Sequence, residues 1–128
     1  VTPSHFFNNN KVDREIDVEK IKYELQYLME QNAGIIRSES SLKAMLNWIM
    51  LHGSILDINA DDRDKSELLS LYTISKYMVM SALLRKESRG SHYRLDYPDR
   101  NEVYRKHILI KGDEIYFDRQ IDSAKINR

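Results

Sequence analysis

Three stretches with helical periodicity dominate the sequence, and each is apolar along one side only. They are predicted to span residues 17–32, 38–52 and 64–88. A helix with a single apolar stripe is stable in water only when other elements cover that stripe. The simplest way for three such helices to cover one another is a three-helix bundle. The predicted stripes are Ile21, Leu25, Leu28 and Met29; Leu42, Met45, Leu46, Ile49 and Met50; and Leu68, Leu71, Tyr72, Ser75, Met78, Val79 and Ala82.

Residues typical of helix ends support these boundaries. Asp17 and Ser38 stand where an N-cap side chain accepts a backbone N–H. Three aspartates stand at the start of the third helix, where negative charge suits the helix dipole. A glycine follows the end of each predicted helix, which is typical of a C-terminal stop.

The pattern changes after the third helix. Residues 91–96 are predicted to be extended, because they end just before Pro98, and proline disfavours the helical region for the residue that precedes it. Farther on, residues 107–110 and 114–117 flank a turn that contains Gly112, which is typical of a β-hairpin. The predicted fold is therefore mainly α: a three-helix bundle followed by an extended segment and a small C-terminal β-hairpin.

Both ends of the chain are polar and lack periodicity, and the first residue is Val1 rather than Met. We therefore expect a domain cut from a longer protein. Residues 1–16 are predicted to be a linker, 17–98 the bundle with its charged segment, 99–122 a hairpin extension and 123–128 a tail.

The composition excludes several classes of protein. The chain has 128 residues, enough for one domain, and its 20 Lys and Arg balance 20 Asp and Glu. Such a balance argues against sequence-independent binding to nucleic acid. The absence of cysteine excludes disulfides, zinc–thiolate sites and thiol nucleophiles. No run approaches the roughly 18 apolar residues that cross a bilayer, so we expect no membrane partner.

Familiar catalytic motifs are also missing. The chain contains no Gly-rich phosphate loop and no HExxH. The acidic run at residues 57–64 lacks the central Gly and the closing Glu of a calcium loop, so a solvated helix start is the better interpretation. We interpret the Met and Tyr side chains of the third helix as core rather than as a ligand pocket, and Trp48 as a packing residue. The helix residues in question are Tyr72, Tyr77, Met78 and Met80.

Charge concentrates in residues 85–107, with seven Lys and Arg against four Asp and Glu. In an extended segment, side chains alternate between two faces. We expect the apolar face to pack on the bundle and the polar face to point outward. The two faces comprise Tyr93, Leu95 and Tyr97 on one side and His92, Arg94 and Asp96 on the other.

Two interpretations of this segment remain open. It could form the wall of a site for an anionic substrate, because Arg binds carboxylates through two hydrogen bonds, and His92 would then be a candidate acid or base. It could instead be a seam of buried ion pairs between domains or subunits, in which Arg85, Glu87, Arg89 and Asp96 satisfy one another. The residue chemistry favours the seam. We predict no catalytic, cofactor-binding or metal-binding residue, and the domain-docking candidates are Arg85, Glu87, Arg89, His92, Arg94 and Asp96.

Two motifs carry a resemblance to a known family. Residues 83–98 read LLRKESRGSHYRLDYP, and residues 28–37 read LMEQNAGIIR. They resemble two carboxy-terminal motifs of the succinate dehydrogenase, fumarate reductase and L-aspartate oxidase flavoproteins, in the same order and at a similar separation. After residues 83–98 the sequence departs from the family pattern, because Tyr104 stands where a Trp is usual.

The resemblance implies an FAD-dependent parent protein with a flavin-binding domain, a capping domain and this helical domain. The IIRSE sequence at residues 35–39 resembles the corresponding sequence of the L-aspartate oxidase branch. The chain also ends soon after the predicted hairpin, which is similar to the end of the proteins of that branch. That branch oxidises L-aspartate to iminoaspartate for quinolinate and NAD synthesis in the cytoplasm. The family's flavin-binding and catalytic positions do not map onto this chain, so we expect it to dock on the other two domains, to be inert alone and to self-associate when isolated. The alternatives are a domain of a succinate dehydrogenase or fumarate reductase flavoprotein, and an independent helical interaction module.

Overall fold

A computed structural model describes residues 17–118, so the predicted linker over 1–16 and the tail over 123–128 lie outside the described residues. Three helices come first in chain order: α1 (Val18–Ala33), α2 (Glu39–Leu51) and α3 (Arg63–Leu84). Each helix packs against the other two, which confirms the predicted bundle. The buried apolar core comprises Leu25, Ala33, Leu42, Met45, Ile49, Ile55, Leu68, Tyr72, Val79 and Ala82.

The helix starts follow the predicted capping chemistry. The Asp17 carboxylate accepts the N–H of Lys20 at 3.2 Å. Ser38 and Ser41 form a reciprocal capping box at the start of α2. Helix α3 begins one residue earlier than predicted, with Asp62 as its N-cap. These side chains satisfy backbone donors that a helix leaves unpaired in its first turn.

The residue that follows helix α1 is a glycine because a side chain does not fit there. A Cβ atom on Gly34 would lie 2.4 Å from the carbonyl oxygen of Glu30. The chain therefore leaves the helix close to its own last turn and runs directly into the short strand β1 (Ile36–Arg37).

The predicted apolar stripes are correct for most positions and wrong for two. Met50 and Met78 are 67% and 46% exposed, so these stripe residues lie outside the core. Tyr72 is buried, and its hydroxyl donates a hydrogen bond to the carbonyl of Ile49. Trp48 packs against the core as predicted, and its indole N–H reaches Glu24 at 3.0 Å.

Two small sheets complete the fold. Strand β1 pairs in parallel with β2 (Tyr93–Arg94), a pairing that the sequence analysis did not predict. Strands β3 (Ile108–Lys111) and β4 (Glu114–Phe117) form the predicted hairpin, with Ile108 opposite Phe117. The hairpin contacts α3, because the Tyr77 hydroxyl donates to the carbonyl of Gly112 at 3.1 Å.

A polar cluster at one end of the bundle

The charged segment lies where the ends of the three helices meet. Helix α3 ends at Leu84 rather than at the predicted residue 88, and the following residues cross toward the end of α1 and the start of α2. We refer to the side chains gathered there as the polar cluster. It consists of Arg37, Arg85, Glu87, Arg89, His92, Arg94 and Asp96.

Arg94 lies at the centre of the cluster and has no solvent exposure. Its Nη1 donates to the carbonyl oxygens of Ala82 at 3.2 Å and Leu83 at 3.1 Å. These carbonyls belong to the last turn of α3, where no backbone donor follows within the helix. The guanidinium therefore caps the C-terminus of α3, where a positive charge also complements the helix dipole.

Asp96 neutralises Arg94 and connects it to a second helix. Its two carboxylate oxygens accept from Nε and Nη2 of Arg94 at 3.1 and 2.7 Å. The same carboxylate accepts the backbone N–H of Glu39, at the start of α2, at 3.2 Å. The hydrogen bonds from Arg94 lower the pKa of Asp96. One ion pair therefore joins the end of α3 to the beginning of α2.

Glu87 is fully buried and accepts hydrogen bonds from three donors. Arg85 and Arg89 both reach its Oε2, at 2.6 and 2.9 Å, and the N–H of Asn101 reaches its Oε1 at 2.9 Å. Burial alone would raise the pKa of Glu87, but the bonds from Arg89, Asn101 and Arg85 lower it to about 2. Glu87 therefore remains a carboxylate at neutral pH.

Arg85 also fastens the C-terminal extension to the bundle. Its guanidinium donates to the carbonyls of Tyr104 and Lys106 and lies 5.5 Å from the centre of the Phe117 ring. Through this one side chain, the buried carboxylate of Glu87 is linked to the residues that lead into the hairpin.

His92 connects the segment to β1. Its Nδ1 lies 3.0 Å from Nη1 of Arg37, and its Nε2 lies 3.0 Å from the carbonyl oxygen of Arg85. A guanidinium can only donate, so Nδ1 accepts, and Nε2 carries the proton that it donates to the carbonyl. Burial lowers the pKa of His92, as do the charges of Arg37, Arg94 and Arg85. Both ring nitrogens are engaged inside the domain, which leaves neither for a substrate.

The predicted orientation of residues 92–97 is wrong. Arg94 is buried, whereas Tyr93, Leu95 and Tyr97 are 38%, 62% and 38% exposed. The reason is that the carbonyls at the end of α3 need a donor, and Arg94 supplies it together with its own counter-ion. The expected ion pairs also differ in one respect, because Asp96 pairs with Arg94 rather than with Arg85 or Arg89.

Exposed apolar side chains lie along the β1–β2 ladder and at the residue just before it. Ile36 pairs in register with Tyr93, and Leu95 donates its N–H to the carbonyl of Arg37. Ile35 and Ile36 are 85% and 62% exposed. We call Ile35, Ile36, Tyr93 and Leu95 the ladder patch. Exposed apolar side chains gathered along one short ladder are typical of protein–protein contacts.

Arg37 belongs to the polar cluster but was not among the predicted site residues. Its Nε donates to the carbonyls of Ala33 and Gly34, so it caps α1 as Arg94 caps α3. Burial lowers the pKa of its guanidinium. A basic residue shortly after a helix-ending glycine is the signal that could have identified it, since such side chains often bond the last carbonyls.

The contacts of the cluster thus hold separate backbone segments together. Among residues 17–118, no group of three His, Asp or Glu side chains comes together as a metal site would require. Within the same residues, no helix is long and apolar enough to span a membrane.

Comparisons with known proteins agree with the two motifs. Residues 22–127 match the family model described as fumarate reductase flavoprotein C-term. The chain is 34% identical to an uncharacterised FAD-dependent oxidoreductase of Methanocaldococcus jannaschii, over 91% of this chain and 25% of that protein. It is 31% identical to an L-aspartate oxidase of Synechocystis, over 73% of this chain and 21% of that protein. It is 35% identical to a succinate dehydrogenase flavoprotein subunit of Rickettsia conorii, over 81% of this chain and 17% of that subunit.

The chain therefore spans a quarter or less of the length of these curated relatives. The matched region includes all three helices except the first turn of α1, together with the polar cluster and the hairpin. On these findings the chain belongs to the family of C-terminal domains of the succinate dehydrogenase, fumarate reductase and L-aspartate oxidase flavoproteins.

Proposed function

We propose that this chain is the terminal helical domain of an FAD-dependent L-aspartate oxidase and that it docks on the flavin-binding and capping domains of the same polypeptide. The observation that carries docking is the ladder patch, whose four apolar side chains are exposed, while the neighbouring Arg94 is buried and paired with Asp96. A surface of this kind is explained by a partner that covers it.

The polar cluster would support docking in two ways. Glu87 and Arg94 are fully buried, so they would act by holding the backbone that carries the ladder patch. Arg85 would act in the same way on the hairpin side. Arg89, His92 and Asp96 are partly accessible or exposed, so their accessible surfaces would contact a partner at the edge of the segment.

The oxidase assignment is supported by the IIRSE sequence at residues 35–39 and by several relatives of that name. FAD bound elsewhere in the parent would accept the hydride when L-aspartate is oxidised to iminoaspartate, in the cytoplasm. This chain has no glycine-rich loop to hold the cofactor's phosphates, so its own contribution is structural and it is inert alone.

The experiment is anaerobic substrate reduction of the FAD-loaded, full-length parent, followed by the loss of flavin absorbance. Bleaching by L-aspartate but not by succinate supports the oxidase assignment. Bleaching by succinate alone would move the protein to the succinate dehydrogenase or fumarate reductase branch. No bleaching by either would favour an independent interaction module.

A further inference from the structure

A groove with apolar walls runs between α3 and the hairpin, on the side of the β1–β2 ladder that Arg37 faces. Its volume is about 450 Å³. Ile74, Met78 and Ile110 line it and are 56%, 46% and 47% exposed. Arg37, Arg85 and His92 also line it, and none of the described residues that line it is acidic.

The three basic groups of the groove differ in how they are neutralised. Arg85 is paired with Glu87 at 2.6 Å, and the hydrogen bonds of His92 fit its neutral form. Among residues 17–118, Arg37 bonds to two carbonyl oxygens and the His92 ring, and to no carboxylate. A half-buried guanidinium has lost part of its hydration. A carboxylate therefore binds it more strongly than it binds an exposed lysine.

We propose that this groove receives an acidic side chain, flanked by apolar residues, from the part of the parent polypeptide that lies outside this chain, and that Arg37 binds its carboxylate. This inference rests on the proposed function and adds to it a second contact, on the other side of the ladder from the ladder patch. Two observations support this occupant. Among residues 17–118, Arg37 is bonded to no carboxylate, and the relatives have at least three-quarters of their length outside the matched region.

The experiment measures binding between this chain and the separately produced remainder of the parent, after the absorbance of its bound FAD has shown that the remainder is folded. Met78 gives a matched pair of variants, since Met78→Glu and Met78→Lys remove the same apolar surface from a half-exposed helical position and differ in the sign of the added charge. We expect Met78→Glu to weaken binding about tenfold more than Met78→Lys, because only the glutamate repels a carboxylate. The difference should shrink at high salt.

Arg37→Gln should weaken binding by about tenfold or more. Because Arg37 also caps α1, circular dichroism must first show that this variant is folded; the Met78 pair tests the inference independently of that outcome. Lys43→Gln, on the exposed side of α2, is the control and should bind as the original chain does.

The outcomes separate the two proposals. If Met78→Glu and Met78→Lys both bind as the unaltered chain does, the proposal that the groove receives a carboxylate is overturned and the docking function is left intact. An absence of binding by the unaltered chain would contradict docking itself. Saturable binding of free octanoate to this chain alone, without binding of the remainder, would show that the groove takes a small carboxylate and would also overturn the inference.

Discussion

Arg94 exchanges the hydration of its guanidinium for contacts with backbone carbonyls of α3 and with the carboxylate of Asp96. Removing it would leave those carbonyls without a donor and Asp96 without its counter-ion. We therefore predict that Arg94→Met lowers the free energy of unfolding by about 3 kcal/mol in urea titrations. Arg105→Met is the control, since its ion pair with Glu102 is exposed and should contribute about 0.5 kcal/mol. Similar losses for both variants would contradict the capping role.

His92 makes the stability of the domain depend on pH. Burial lowers its pKa in the folded state, so the unfolded chain binds the proton more readily once the pH falls below about 6.5. The stability that the neutral ring contributes is therefore present above about pH 6.5 and is lost as the pH falls toward the lowered folded-state value. We predict that His92→Gln is less stable at pH 7.5 but loses less stability between pH 7.5 and 5.5. An unchanged slope in His92→Gln would rule out this mechanism.

Glu87 acts at lower pH for the same reason. Its pKa of about 2 lies below the ordinary value of 4.5, so its contribution to stability is complete above about pH 4.5 and is lost as the pH falls toward 2. Glu87→Gln should therefore flatten the acid limb of unfolding below pH 4.5, measured by circular dichroism. An unchanged acid limb would show that the carboxylate does not govern it.

At the level of elements, the hairpin and the residues that lead into it are held by Tyr77 of α3 and by Arg85, just after α3. We predict that Arg85→Met speeds hydrogen exchange of the amides in β3 and β4, while the amides in the middle of α1 exchange as before. Tyr77→Phe removes one hydrogen bond and should have a smaller effect in the same strands. Uniform acceleration throughout the domain would contradict a local role for Arg85.

The elements also show how far sequence reasoning reaches. The three helices, the N-caps of α1 and α2 and the hairpin were predictable because periodicity, capping residues and turn residues act over a few positions. The orientation of residues 92–97 was not predictable in this way. It depends on carbonyls 11 and 12 residues earlier, at Leu83 and Ala82, and on the N–H of Glu39, which lies 57 residues from Asp96. The alternation of side chains along an extended segment cannot predict that a cation is buried because it caps the end of a distant helix.

For the whole molecule, the exposed ladder patch predicts self-association when this chain is isolated. Leu95→Asp places a charge at a position that is 62% exposed, so it should reduce association without unfolding the core. Sedimentation velocity at increasing concentration measures this. Tyr23→Asp, on the exposed side of α1, is the matched control. Equal association by Leu95→Asp and the original chain would show that the ladder patch is not the surface through which the chain self-associates.

Docking on the rest of a flavoprotein is the central claim, and covalent footprinting by mass spectrometry tests it most directly. The labelling of exposed side chains is compared between this chain alone and the FAD-loaded, full-length parent. We predict that Ile36, Tyr93 and Leu95 are labelled in the isolated chain and protected in the parent, whereas Tyr23 and Tyr27 are labelled equally in both. Equal labelling of the ladder patch in both would contradict docking through this surface.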